Sequence, residues 1–304
     1  MKTAHPKIEI IKQEYGLEGI YKMIERAGRT CYKSEDKITE SSAREFVERM
    51  ISSGHNAMLE HGTVYLKIIY MSQSDDPKYS ESTDRINSYK RNKYSVVNEK
   101  TDCSITTAYI TTNYRVLVEN GWLEDLQYLC EPTEMHERRI TVRFITDIGI
   151  TREFNRHRVN SIAEESTRFC NYSKDKFDNG ITIALNNDIT QEKFDVLMRE
   201  WEGSEDKVFI DMCRLISAGQ TKKWAPEDFW LFSCLASQFA YLNELKLGWK
   251  PQQARRSLNL STKSELVHTA FAKDWKHFFE LRDCDKAHPD AHNLAHKLNI
   301  RLNG

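Results

Sequence analysis

Residues 151–173 read TREFNRHRVNSIAEESTRFCNYS. Within them Arg152, Arg156, Arg158 and Arg168, together with His157, are interleaved with Glu153, Ser161, Glu164, Glu165, Ser166 and Thr167. A guanidinium fork grips phosphate or carboxylate through two parallel N–H donors. Hydroxyls and backbone N–H groups complete such cradles. A carboxylate among them accepts from a sugar hydroxyl or a base N–H. The chemistry implied is a phosphorylated ligand with a polar head group. The same charge density also suits a solvated helix face laced with ion pairs. Neither a Walker A loop nor a G-x-G-x-x-G turn occurs, so the standard nucleotide loops are excluded.

The rest of the chain narrows the setting. A net charge of −1 argues against bulk electrostatic attraction to nucleic acid or membrane, so an anion must be met by a local basic cluster. The seven cysteines are odd in number, scattered and without a C-x-x-C pair, which fits a reducing compartment. The N-terminal residues lack the apolar core of a signal peptide, and no apolar run is long enough to span a bilayer. A cytoplasmic protein is expected.

Periodicity sketches the elements. Residues 7–11 predict a strand, 18–31 a helix with Ile20, Ile24 and Ala27 on one face, and 42–52 a second helix. Ser42 and Glu45 have capping-box spacing there, and Gly54 follows as a stop. Alternation of Val64, Leu66, Ile68 and Tyr70 predicts a strand over 63–71, and residues 140–148 alternate likewise. Residues 72–103 are polar and aperiodic and suggest an exposed, mobile insertion; 105–130 suggest helix in two pieces broken near Gly121. Helical patterns follow at 190–218, 226–247, 251–257 and 264–282, the last striped by Leu266, Ala270, Phe271, Trp275, Phe278 and Phe279. Pro289 opens a short final helix.

Arg156-His157-Arg158, seven residues and then Ser166 resembles the signature of the flavin-dependent thymidylate synthases, the ThyX family. Ser161, Glu164, Ser166 and Arg168 fall in register with its fuller form R-H-R-x-x-S-x-N-E-x-S-x-R-Y; Ala163 replaces the usual Asn and Phe169 the usual Tyr. Glu60-His61 before a strand, Gly28-Arg29-Thr30-Cys31, Ala254-Arg255, and Leu281-Arg282 closing WKHFFELR before Ala287-His288-Pro289 are similar to further family elements. The likeness covers about 18–71, 140–173 and 223–298. It implies an α+β fold, with a central, mostly antiparallel sheet flanked by helices. It also implies one catalytic domain spanning 1–304, with an insertion at about 72–135 that compact members lack or shorten.

The resemblance implies reductive methylation of dUMP to dTMP, with carbon from 5,10-methylenetetrahydrofolate and hydride from FAD reduced by NADPH. That route needs no enzyme nucleophile, and the Pro-Cys-His signature of the unrelated cysteine-dependent synthases is absent: no cysteine follows a proline. By resemblance, Glu153, Arg156, Glu164, Ser166, Thr167, Arg168, Arg255 and Arg282 would bind dUMP, with Arg282 facing the uracil to favour ionisation of N3. Arg156, His157, Arg158, Glu164, His61, Cys31, Lys273 and His277 would contact FAD. The family assembles as a homotetramer with shared active sites. A non-catalytic nucleotide- or phosphate-binding protein using the same arginines is the alternative; a nucleic-acid binder is disfavoured by the near-neutral charge. His288, His292 and His296 recur every four residues, a spacing that can bind zinc, but no carboxylate-plus-histidine signature surrounds them. A packing or interface face, without metal, is expected.

Overall fold

The computed structural model describes residues 1–70, 77–103 and 105–304. The chain runs β1 (Lys2–Ala4), β2 (Lys7–Ile11), α1 (Gly16–Tyr32), α2 (Ser42–Ser52), β3 (Thr63–Tyr70), α3 (Pro77–Arg91), β4 (Val96–Asp102), β5 (Ile105–Asn113) and α4 (Tyr114–Asn120). It continues through β6 (Arg139–Asp147), α5 (Ile148–Phe154), β7 (Ser161–Glu164), β8 (Thr182–Ala184), α6 (Gln191–Glu200), α7 (Glu205–Ser217), α8 (Pro226–Lys246), α9 (Pro251–Ala254), β9 (Lys263–Phe271), α10 (Ala272–Arg282) and α11 (Pro289–Asn303).

The site is built on a four-stranded sheet of order β2-β6-β9-β7, antiparallel at every pairing. One face carries Ile8, Val142, Phe144, Leu266 and Ala270, which pack with Trp275, Phe278 and Phe279 of α10 and Leu294 and Leu298 of α11. The register Thr141↔Thr269↔Ser161 places polar residues on the opposite face, towards α1 and the 3-10 turn Asn56–His61. Sheet strands bury hydroxyl and charged groups only where partners satisfy them, and here Thr141 and Thr269 bond each other at 2.8 Å. A second antiparallel sheet, β3-β5-β4, shares a core with α1, α2 and α4. A parallel pair, β1-β8, lies beside β9, through the bridge of Ile183 to Thr262. The architecture is α+β with antiparallel sheets flanked by helices, as the resemblance implies.

Several elements differ from the periodicity. Residues 264–282 are not one helix: 263–271 form β9, the strand between β6 and β7 in the main sheet, and only 272–282 are helical. Leu266 and Ala270 match helical spacing. They are also positions i and i+4 of a strand whose two faces are both buried, so alternation vanishes from the sequence. Residues 105–113 are strand β5, not helix; Thr106, Ala108, Ile110 and Thr112 are buried on one face, and β-branched residues favour the pleat. Gly121, at φ +70°, does end a helix, α4. Met71, included in the strand reading, and 72–76 lie outside the described residues, as does Ser104. The described part of 72–103 is ordered as α3 and β4, with Ile86 and Tyr89 buried in the α1–α2–β3 core.

The pattern over 190–218 is two helices, separated at Trp201–Ser204, where Gly203 has φ +127°. The predicted capping box at Ser42 does not form. The N-cap residue is Ser41, and the Ser42 hydroxyl instead donates to Glu25 Oε2 at 2.9 Å. Gly54, at φ +72°, stops that helix with His55 N–H returning to Met50 O at 2.9 Å. The final helix is longer than expected, at 15 residues. Among the described residues no helix is long and apolar enough to cross a membrane.

Candidate active site

The stretch 151–173 enters as the end of α5, turns at residues 155–160, and leaves as β7 on the edge of the main sheet. Asp147 caps α5, its Oδ1 accepting from Ile150 N–H at 2.7 Å. His157 is buried against the Phe278 ring, 4.8 Å between centroids, which anchors the turn to α10. Arg156, Arg158 and Val159 on either side are exposed.

Arg282, in the last turn of α10, reaches back across this turn. Its Nε donates to His157 Nε2 at 3.1 Å, Nη1 to Glu153 Oε2 at 2.8 Å, and Nη2 to the Glu153 carbonyl at 2.7 Å. His157 must be unprotonated at Nε2 to accept. Burial, and then the adjoining Arg282 and His277, push it down to about 4, so it is neutral at physiological pH. A guanidinium has five N–H donors; two remain for a ligand.

The other arginines of the stretch are uncompensated. Among the described residues Arg152, Arg156, Arg158 and Arg168 make no ion pair. This departs from the laced-helix reading, which requires intrahelical partners. Arg168 lies over the Phe169 ring, 5.1 Å from its centroid, and that ring meets Tyr32 at 5.5 Å. Phe169, where the family usually has Tyr, is 54% exposed. Ala163 packs with Ala27 and Val267 in a small apolar cluster where an amide would lack a partner.

The structure joins the N-terminal helix to the motif. Ser166 N–H donates to Cys31 O at 2.9 Å. Glu164 accepts from Thr151 Oγ1 at 2.6 Å and Asn155 Nδ2 at 2.7 Å, binding β7 to α5. His277 brings its ring within 6.2 Å of His157. His61 is wholly buried beneath the sheet; its Nδ1 meets Thr269 Oγ1 at 2.9 Å, and its Nε2 has no partner. Burial, with Arg139 nearby, holds it down at about 3. Two predicted residues lie on other elements: Arg255 follows Ala254, which packs in one cluster with Cys170 and Tyr172, and Lys273 precedes His277 by one turn of α10. Arg255 is exposed after α9. Lys273 lies over Phe271 and lines a cleft of about 740 Å³ with Arg138, Lys276 and Asp283, none of whose lining residues belongs to 151–173.

The periodicity passed over a charged layer next to Cys31. Glu265 on β9 is ion-paired with Lys33 at 3.0 Å and with Lys263 and Arg143. Glu165 binds Lys263 at 2.7 Å and accepts from Tyr172 at 2.9 Å. Burial raises the Glu265 carboxyl, but Lys263, Lys33 and Arg143 outweigh it and hold it at about 2. Alternation of Arg139, Thr141 and Arg143 in 139–147 was the available signal, since a strand with charges on a buried face must supply counter-charges. Glu265→Ala removes the carboxylate shared by three cations, each of which keeps a second one (Glu35 for Lys33, Glu9 for Arg143, Glu165 for Lys263), and is expected to lower stability by about 1–3 kcal/mol, read from the urea midpoint. An unchanged midpoint would show the cluster to be solvated.

Residues 131–302, more than half of the chain, match the family model described as thymidylate synthase complementing protein. The chain belongs to this family. Arg156, His157, Arg158, Ser166 and Arg282 all lie inside the matched stretch, whereas Cys31 and His61 lie before it. None of the curated proteins compared with the chain matches it. Two solved structures of a UMP/dUMP methylase from Streptomyces cacaoi are similar to it, one bound with 5-Br dUMP and one with 5-Br UMP. Identities are 15% and 14%, with 99% of this chain and 92% and 90% of the methylase covered, at TM-scores of 0.38 and 0.37. So loose a likeness leaves the assignment to the family match.

Proposed function

We propose that this family member is a flavin-dependent thymidylate synthase converting dUMP to dTMP. The observation that carries the reading is the delivery of Arg282 from α10 onto Glu153 and His157, in a stretch whose exposed Arg156, Arg158 and Arg168 make no ion pair among the described residues. These groups fit two anionic ligands: guanidiniums without counter-ions suit phosphates, and the fixed charge of Arg282 suits a pyrimidine ring gaining negative charge. The buried, partnerless Nε2 of His61 and Oδ1 of Asn160 are further polar positions awaiting a partner. Bound FAD, reduced by NADPH, would supply hydride, with 5,10-methylenetetrahydrofolate supplying the carbon.

On this reading Glu153, Arg156, Glu164, Ser166, Thr167, Arg168 and Arg255 bind dUMP. Arg156, His157, Arg158, Glu164, His61, Cys31, Lys273 and His277 serve FAD. Arg282 holds the uracil as its N3 gives up a proton, and it remains protonated throughout. His157, kept neutral, orients Arg282 rather than repelling it. Three thiols fit poorly as nucleophiles: burial pushes Cys31 up to about 11 and Cys170 and Cys234 up to about 12, leaving little thiolate at neutral pH. By its resemblance to the family, the protein would assemble as a homotetramer in which neighbouring subunits complete each site. We further infer a cytoplasmic enzyme with one catalytic domain and an insertion at 72–135.

The test is tritium release from [5-³H]dUMP with FAD, NADPH and methylenetetrahydrofolate. Yellow protein that releases tritium in proportion to enzyme is expected. Protein that binds FAD and dUMP yet releases none above background would overturn the synthase reading and leave a phosphate-binding role for the same arginines.

A further inference from the structure

The expectation of a metal-free face on the last helix rested on the lack of a carboxylate-plus-histidine signature around its histidines, and the fold adds a carboxylate to them. Asp283, the residue after α10, stands against His292 and His296 of α11. One ligand atom from each of the three lies within 4.8 Å of the others. His296 Nδ1 is 3.0 Å from Asp283 Oδ1, and His292 Nδ1 is 3.5 Å from the same oxygen. The two imidazoles are parallel within 17°, with centroids 5.6 Å apart. His288, one turn earlier, is engaged elsewhere, accepting from Asp290 N–H at 3.3 Å as the cap of α11.

We propose that Asp283, His292 and His296 form a binding site for one divalent transition-metal ion of the zinc class. Two ligands about 2.0–2.1 Å from one ion at a tetrahedral angle stand about 3.3 Å apart, and the two His–Asp separations bracket that figure. One carboxylate oxygen faces both imidazoles, and only His296 Nδ1 is within hydrogen-bond distance of it, at 3.0 Å. The Nδ1 of His292 is buried and makes no hydrogen bond. A metal resolves this, taking two neutral imidazoles and one carboxylate, with water in the fourth position. The supporting shell is present: Asn299 Nδ2 donates to Asp283 Oδ2 at 2.7 Å and fixes the carboxylate. So is an entry path, since the His296 side chain is 55% exposed to solvent. The ion would tie the end of α10 to α11, one residue beyond Arg282. The site does not rest on the flavin reading.

The measurement is calorimetric titration of tag-free, chelator-stripped full-length protein with Zn²⁺. One ion per chain at micromolar affinity or tighter is expected. Asp283→Asn, His292→Gln and His296→Gln should each weaken binding at least about 10-fold, and His288→Gln should leave it unchanged. Absence of stoichiometric binding, or binding that survives His292→Gln and His296→Gln, overturns the proposal. Should those variants fail to fold, Co²⁺ added to the native chain decides. Strong visible d–d bands of four- or five-coordinate cobalt support the site, and only the pale spectrum of the octahedral aquo ion overturns it.

Discussion

Arg282→Ala is expected to lower turnover of dUMP by about 10³-fold, with FAD affinity close to that of the native protein. The guanidinium is oriented by three hydrogen bonds, two to Glu153 and one to His157, all to groups that precede or lie within the arginine-rich turn. Its cost on removal is therefore concentrated where charge develops on the ligand. Lysine cannot substitute, because a single ammonium cannot bridge the Glu153 carboxylate, its carbonyl and His157 together. Arg282→Lys should keep the melting temperature and still lose most of the rate. The competing role for a basic residue in the last turn of a helix is compensation of the helix dipole, worth about 0.3–1 kcal/mol. Lysine would fill that role. Tritium-release kinetics beside a flavin titration separate the two: equal loss of rate and FAD binding in both variants would make Arg282 structural.

The second large effect is acid lability well above the carboxylate range. Three buried histidines are neutral in the fold: His61 and His268 are held down at about 3 and His157 at about 4, burial being the largest cause in each. His268 also feels His157 and His61, and its Nδ1 is tied to Asn160 at 3.2 Å. An unfolded histidine titrates near 6.5. Between that value and about 4 the unfolded chain binds three protons that the fold refuses, so their contribution is whole above about pH 6.5 and is lost as pH falls. At about 1.4 kcal/mol per proton and pH unit, three protons give a slope of about 4 kcal/mol per unit. A domain stable by about 6–10 kcal/mol, within the usual range, then unfolds near pH 4–5. Melting followed by circular dichroism from pH 8 to 4 should show a plateau above 7 and a steep fall below 6. A flat profile down to pH 5 would mean these histidines take up protons in the fold. Glu265 adds to the loss only lower, as pH drops from about 4.5 towards its folded value of about 2.

Legibility divided along physical lines. Strand 63–70 announced itself by alternation, and so did 139–147, whose apolar side chains alternate with the charged and hydroxyl side chains of its other face; the amphipathic helix 42–52 was marked by its spacing and stop. β9 was invisible as a strand because eight of its nine residues are buried. When both faces meet protein the pattern that distinguishes strand from helix disappears, and the aromatic stripe that follows in α10 extends the illusion. The same segment carries Glu265, His268 and Thr269, so misreading one element hid much of the polar layer under the site.

Alone, the sequence determined the chemical inventory: the R-H-R…S motif, the density of arginines around it and the missing Pro-Cys-His. Those are properties of residue types and short spacings, which the chain writes locally. Only the tertiary structure decided which groups meet. Arg282 joins Glu153 and His157 across 129 and 125 residues, and Asp283 joins His292 and His296 across a helix–helix turn. Such meetings are set by how α10 packs on the sheet through Phe278, a burial choice made by the whole core. The histidine face of α11 shows the difference most plainly. Spacing along one helix offered two nitrogens to an ion, and it took the end of a neighbouring helix to bring the carboxylate.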